Sequence, residues 1–127
     1  MASKIQSDIE ITKDDQNQIN QFSRINMHWN EKNRTMQKKN EILNQLDDAA
    51  TELELCDDEE TVQVKYGDCF FHVKVEQAKQ YVEEQQTQTK KETNEISKVM
   101  DEQEKKMKKL KAVLYTKFGN QINLEED

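Results

Sequence analysis

Two histidines, two cysteines and a run of four acids are the side chains in this 127-residue sequence that invite a catalytic or metal-binding reading. His28 and His72 lie far apart, with no cysteine or carboxylate at ligand spacing, and read as surface residues of a helix and a hairpin. Cys56 and Cys69 form no CxxC motif. They read first as small apolar packing residues beneath a hairpin and only second as a disulfide, which makes a reducing cytosol or nucleus the default compartment. Asp57, Asp58, Glu59 and Glu60 lack the alternating ligands, central glycine and terminal glutamate of a calcium loop, and read as a solvated helix-to-strand connection. With only Gly67 and Gly119, the chain has no phosphate-cradling loop or dinucleotide fingerprint, so no ATP-driven cycle is expected. Nucleophile, base and oxyanion donor cannot be placed in one pocket. The chain is not expected to be an enzyme or to need a cofactor or metal.

The elements behind these residues are helical. Charged residues make up 35% of the chain and hydrophobic ones 33%, and the mean hydropathy is −1.14. That polarity excludes a large single-chain core. No proline and abundant Lys, Glu, Gln and Met favour long two-faced helices over disorder. A net charge of −7 and a pI near 5.0 argue against nucleic acid as a partner. No apolar run would span a membrane, and residues 1–10 lack the apolar core of a cleavable signal.

The first helix is expected over about 12–56. Phe22, Trp29, Met36, Leu43 and Ala50 recur every seven residues, beside a polar column of Asn26, Asn33, Asn40 and Asp47. Ile19, Ile25, Leu46 and Leu53 complete a narrow stripe that Lys32 and Lys39 interrupt. Thr12 and Asp15 have capping-box spacing. The second helix is expected over 75–118, with Val75, Val82, Thr89, Ile96, Gln103 and Leu110 as its heptad column, reinforced by Val99, Met100, Met107, Val113 and Leu114. Gly119 is placed to end it in a left-handed conformation. Lys105, Lys106, Lys108, Lys109, Lys111 and Lys117 read as a solvated face that compensates the helix dipole. Each helix would reach roughly 60 Å at 1.5 Å per residue.

Between them the apolar period changes to two over 61–73, around Gly67-Asp68, which predicts a single β-hairpin with a type II′ turn. An isolated hairpin is marginal and has two open edges, so this one is expected to pair with strands from other chains through Val62, Val64, Tyr66, Phe70, Phe71 and Val73. If the chain turns back there, residues whose numbers sum to roughly 135 should meet: Leu53 with Val82, Met36 with Val99, Ile25 with Leu110, Phe22 with Val113. The fold class is thus mainly α, an antiparallel two-helix coiled coil with one hairpin between the helices. One domain spans 1–127, with flexible tails at 1–11 and 119–127.

Beyond Gly119 the tail still carries Ile122 and Leu124. They either fold back on Leu114 or Tyr115 as the apolar partner of the cap, or join Ile19, Phe22 and Phe118 in a surface that meets other proteins; both can hold together.

Three strings carry a resemblance: Asp15-Gln16, Ile19-Asn20 and Phe22-Ser23-Arg24 near the start; Gly67-Asp68-Cys69-Phe70 at the turn; and Leu114-Tyr115-Thr116-Lys117-Phe118-Gly119-Asn120-Gln121-Ile122-Asn123-Leu124-Glu125 at the end. With them the chain resembles prefoldin, and its single hairpin matches the β class of subunits. The resemblance implies a hairpin that joins a β-barrel between subunits. It implies a heterohexamer with other α- and β-class prefoldin subunits that holds non-native actin and tubulin without ATP and passes them to the cytosolic group II chaperonin. It places client contact at the helix tips, on Ile19, Phe22, Phe118, Ile122 and Leu124, and the protein in the cytoplasm, with the nucleus also admitted. The competing reading is a structural coiled-coil adaptor or tether that binds a native cytoskeletal partner.

Overall fold

The computed structural model describes residues 10–119, 122 and 124, with only the backbone of Tyr66; the tail expectations at the remaining positions lie outside it. Helix α1 (Lys13–Glu54) leads through strands β1 (Thr61–Tyr66) and β2 (Cys69–Lys74) into helix α2 (Val75–Phe118). The fold is mainly helical, with two long helices and one hairpin between them.

The start of α1 follows from its first residues. The Thr12 hydroxyl accepts the Asp15 N–H at 3.1 Å, and the Asp15 carboxylate accepts the Thr12 N–H at 3.0 Å, a reciprocal cap that satisfies two otherwise unpaired donors. At its other end α1 has no basic residue in its last turn and no glycine, and the chain tightens through i→i+3 bonds from Leu55 to Glu52 and from Cys56 to Leu53. Helix α2 ends at Gly119, whose φ of 59° is the left-handed cap the sequence predicts.

In the hairpin, Val62 pairs with Val73, Val64 with Phe71 and Tyr66 with Cys69. Cross-strand partners share a face, so these six positions form one side, while Phe70 stands on the other with Gln63, Lys65 and His72. Gly67 has a φ of 64° and Asp68 a negative one, the signature of a glycine-first two-residue turn.

The chain divides into two compact units. A hairpin unit comprises Thr35–Ile96, and a terminal unit joins the chain up to Arg34 with that from Ser97.

In the hairpin unit the seam is thin and partly polar. Lys39, expected to interrupt the stripe, lies half-buried within it and bonds the Glu92 carboxylate at 2.6 Å; Lys32 is exposed. Gln86 donates to Asp47 at 2.7 Å. Leu53 and Val82 line one shallow cavity with Ala49, Cys56 and Ala78, as the antiparallel register predicts. Val62 and Val64 line it too, so part of the hairpin's apolar face is covered by its own chain. The acidic connection is exposed, with Asp58 paired to Lys79 at 2.9 Å.

Two seam positions differ from expectation. Val99 and Val113 are exposed, and Met100 and Leu114, one residue further on, are buried. A straight helix drifts about 20° per heptad against a seven-residue repeat. Over five heptads that amounts to about one residue, so the flanking column of Ala78, Gln85 and Glu92 passes to Thr93, Met100, Met107 and Leu114. Phe22 accordingly packs with Leu114 rather than Val113.

Candidate functional site

The terminal unit brings together all five residues expected to touch clients. Phe22, Leu114, Phe118 and Leu124 form a buried cluster, against which Ile19, Met107, Leu110, Tyr115 and Ile122 pack, half-buried. The chain turns at Gly119, and the Leu124 N–H reaches the Tyr115 hydroxyl at 3.5 Å, a long contact. Leu124 and Ile122 thus lie back as the apolar partners of the cap. Leu124 is 9% exposed and Phe22 2%, so in this conformation Ile19 and Ile122 are the expected client residues on the accessible rim of the cluster, beside Met107, Leu110 and Tyr115.

One ion pair fixes the cluster's edge. Lys117 in the last turn of α2 donates to Asp15 in the cap of α1, whose residue is 5% exposed. The Lys117 bond, helped by the Thr12 N–H, holds the Asp15 carboxyl below the usual carboxylate range, against the opposing effect of burial. Lys117 also lies 5.4 Å from the Phe118 ring centroid, and Lys111 lies 5.7 Å from that of Tyr115. Further along, the Trp29 indole N–H donates to Glu104 at 3.1 Å. Heptad continuity would have added Leu114, Met107 and Leu110 to the cluster. The Asp15–Lys117 pair, 102 residues apart, becomes visible only once the helices are placed side by side.

The hairpin residues separate. Val62, Val64 and Val73 are half-buried, whereas Phe71 at 53% exposure and Phe70 at 61% face outward from opposite sides of the ribbon. The Tyr66 side chain lies outside the described residues. Cys69 is exposed and free, which corrects its expected packing role; Cys56 is half-buried and bonds weakly back to the Glu52 carbonyl at 3.5 Å. His28 is exposed, 3.6 Å from Glu31, and His72 is exposed on β2.

Known proteins share the fold that positions these residues. The family model Prefoldin_2, described as prefoldin subunit, matches residues 16–121. Prefoldin subunit 4 of Saccharomyces cerevisiae is 34% identical over 119 residues, covering 91% of this chain and 90% of that one. Prefoldin subunit 4 of Homo sapiens is 30% identical over 129 residues, covering 100% of this chain and 96% of the relative. The crystal structure of the prefoldin beta subunit from Thermococcus strain KS-1 superposes with a TM-score of 0.77, covering 87% of this chain and 97% of that chain at 17% identity, a likeness of fold. The chain belongs to the prefoldin family. Prefoldin subunits are chaperone components rather than enzymes, and other prefoldin subunits are the partners that membership implies.

Proposed function

We propose that this chain is one subunit of a heterohexameric, ATP-independent holdase. Through the terminal-unit cluster it binds non-native proteins such as actin and tubulin, which the complex transfers to the cytosolic group II chaperonin. The hairpin assembles with sibling hairpins into a barrel through Val62, Val64, Tyr66, Phe70, Phe71 and Val73. The cell compartment is the cytoplasm, with the nucleus also admitted.

The observation that carries this reading is the cluster closed by its own tail. Ile19 and Ile122 offer a first apolar contact. Lifting Leu124 costs on the order of 2 kcal/mol of burial and uncovers Phe22, Leu114 and Phe118 for a client side chain to take its place. Each such exchange is weak, and several subunits acting on one client raise the effective concentration, giving capture without a deep pocket and release without nucleotide.

The test is a chain truncated after Gly119, reconstituted with its sibling subunits and assayed for suppression of aggregation of denatured actin. Weaker suppression with intact assembly is expected. Suppression equal to that of the full chain would remove Ile122 and Leu124 from the client site.

A further inference from the structure

The acidic average of the chain conceals a basic helix face. The hairpin unit carries fifteen acidic and seven basic residues, whereas α2 from Ser97 to its end carries seven lysines against three acids, with no acid after Glu104. Lys105, Lys106, Lys108 and Lys109 are all exposed, and none has an ion-pair partner among the described residues.

The ordinary explanations for such a run do not cover it. The helix dipole acts within the last turn, and only Lys117 lies there; Lys105 to Lys109 stand about two and a half to three and a half turns short of Phe118. Acids one turn back, Asp101, Glu102 and Glu104, have the spacing for pairs with Lys105, Lys106 and Lys108, yet none of these pairs closes, and Glu104 accepts the Trp29 indole instead. Lys109 has Lys105 one turn behind it, a like-charge neighbour that works against the helix. Solubility does not require them, since a net charge of −7 already supplies it and each lysine reduces it. Next to Lys109 and Lys106, at the end of the cationic stretch, Val113 is 52% exposed with Ala112 beside it.

We infer that this face of α2, formed by Lys105, Lys106, Lys108 and Lys109 with Val113 at its edge, docks an acidic polypeptide segment that carries an aliphatic anchor. Charge complementarity selects the carboxylates, and Val113 with Ala112 receives the anchor. A protein segment fits better than nucleic acid. The lysines extend over little more than one helical turn, roughly 6 Å, too short a track for a phosphate backbone, and the strongly acidic remainder of the chain repels a long polyanion. Lys106, Lys109 and Val113 do not border the Phe22–Leu114–Phe118 cluster, whereas Lys105 and Lys108 line a depression that Phe22 and Met107 share; the inference goes beyond the holdase reading and does not depend on it.

The test uses the chain assembled with its sibling subunits and three fluorescent probes of equal length: a Glu/Leu peptide, a Gln/Leu peptide and single-stranded DNA. The triple variant K105Q/K106Q/K109Q is expected to weaken the acidic peptide by roughly tenfold. The triple Lys→Arg variant should retain binding, and raising salt from about 0.05 to about 0.2 M should weaken it. Actin aggregation suppression should be unchanged in the double variant K106Q/K109Q, which leaves Lys105 beside Phe22 in place. Unchanged acidic-peptide affinity in the Gln variant, equal binding of the neutral peptide, or tighter binding of DNA would each overturn the proposal. Circular dichroism on the same samples confirms that α2 is intact.

Discussion

Asp15 performs two tasks with one carboxylate: it closes the cap of α1 and accepts Lys117 from the far end of α2. Because its pKa is lowered in the fold, its contribution to stability is full above the usual carboxylate range and disappears as pH falls through the lowered value. Thermal melts on the acid side should therefore show the terminal unit loosening, and Asp15→Asn should lower the midpoint at neutral pH while flattening that acid-side loss; an unaltered pH profile in the variant would remove Asp15 from this role. Gln103 poses the opposite case. Its carbonyl oxygen is the one buried side-chain polar atom without a partner among the described residues, so Gln103→Leu should raise stability by about 1 kcal/mol in a denaturant titration. The cap was legible in the sequence, since Thr12 and Asp15 are three residues apart. The Lys117 partner was not, because nothing local links the two ends of the chain.

Among the elements, the turn shows how much a local signal can specify. Gly67-Asp68 between β-formers gave the hairpin, its turn class and its antiparallel register, all from adjacent residues. The helices show the limit. A strict heptad reading assigns Val99 and Val113 to the seam, and the slow drift of a 3.6-residue helix against a seven-residue repeat moves the buried column to Met100 and Leu114. The lysine in the α1 stripe was legible as an interruption, whereas its resolution by Glu92 was not. Lys39→Leu alone should destabilise the hairpin unit by leaving Glu92 half-buried without its cation. Lys39→Leu with Glu92→Leu should melt higher than the single variant, and higher than the native pair if packing replaces the ion pair well.

At the scale of the molecule, apolar surface is divided between a covered cluster and a ribbon that is covered only in part. Phe22→Ala should cost the terminal unit about 3 to 5 kcal/mol by chemical denaturation, the usual range for emptying a buried phenylalanine site. Phe70→Ser with Phe71→Ser removes exposed rings and should leave the helix content of the chain nearly unchanged while reducing its co-purification with sibling subunits; undiminished co-purification would separate those rings from assembly. The composition announced this division, since so polar a chain has few apolar residues to spend. It could not say that Leu124 would be buried while Phe70 and Phe71 stayed outside, because that depends on where the tail returns after Gly119.

The lone thiol on β2 follows from the same hairpin register. Cys69 is accessible and shares its side of the ribbon with Phe71, two residues along. A bulky maleimide should alkylate it quickly in the free chain, and anything that lies across that side should slow the labelling. The protein therefore carries a native footprinting probe at the place where its strands stand open.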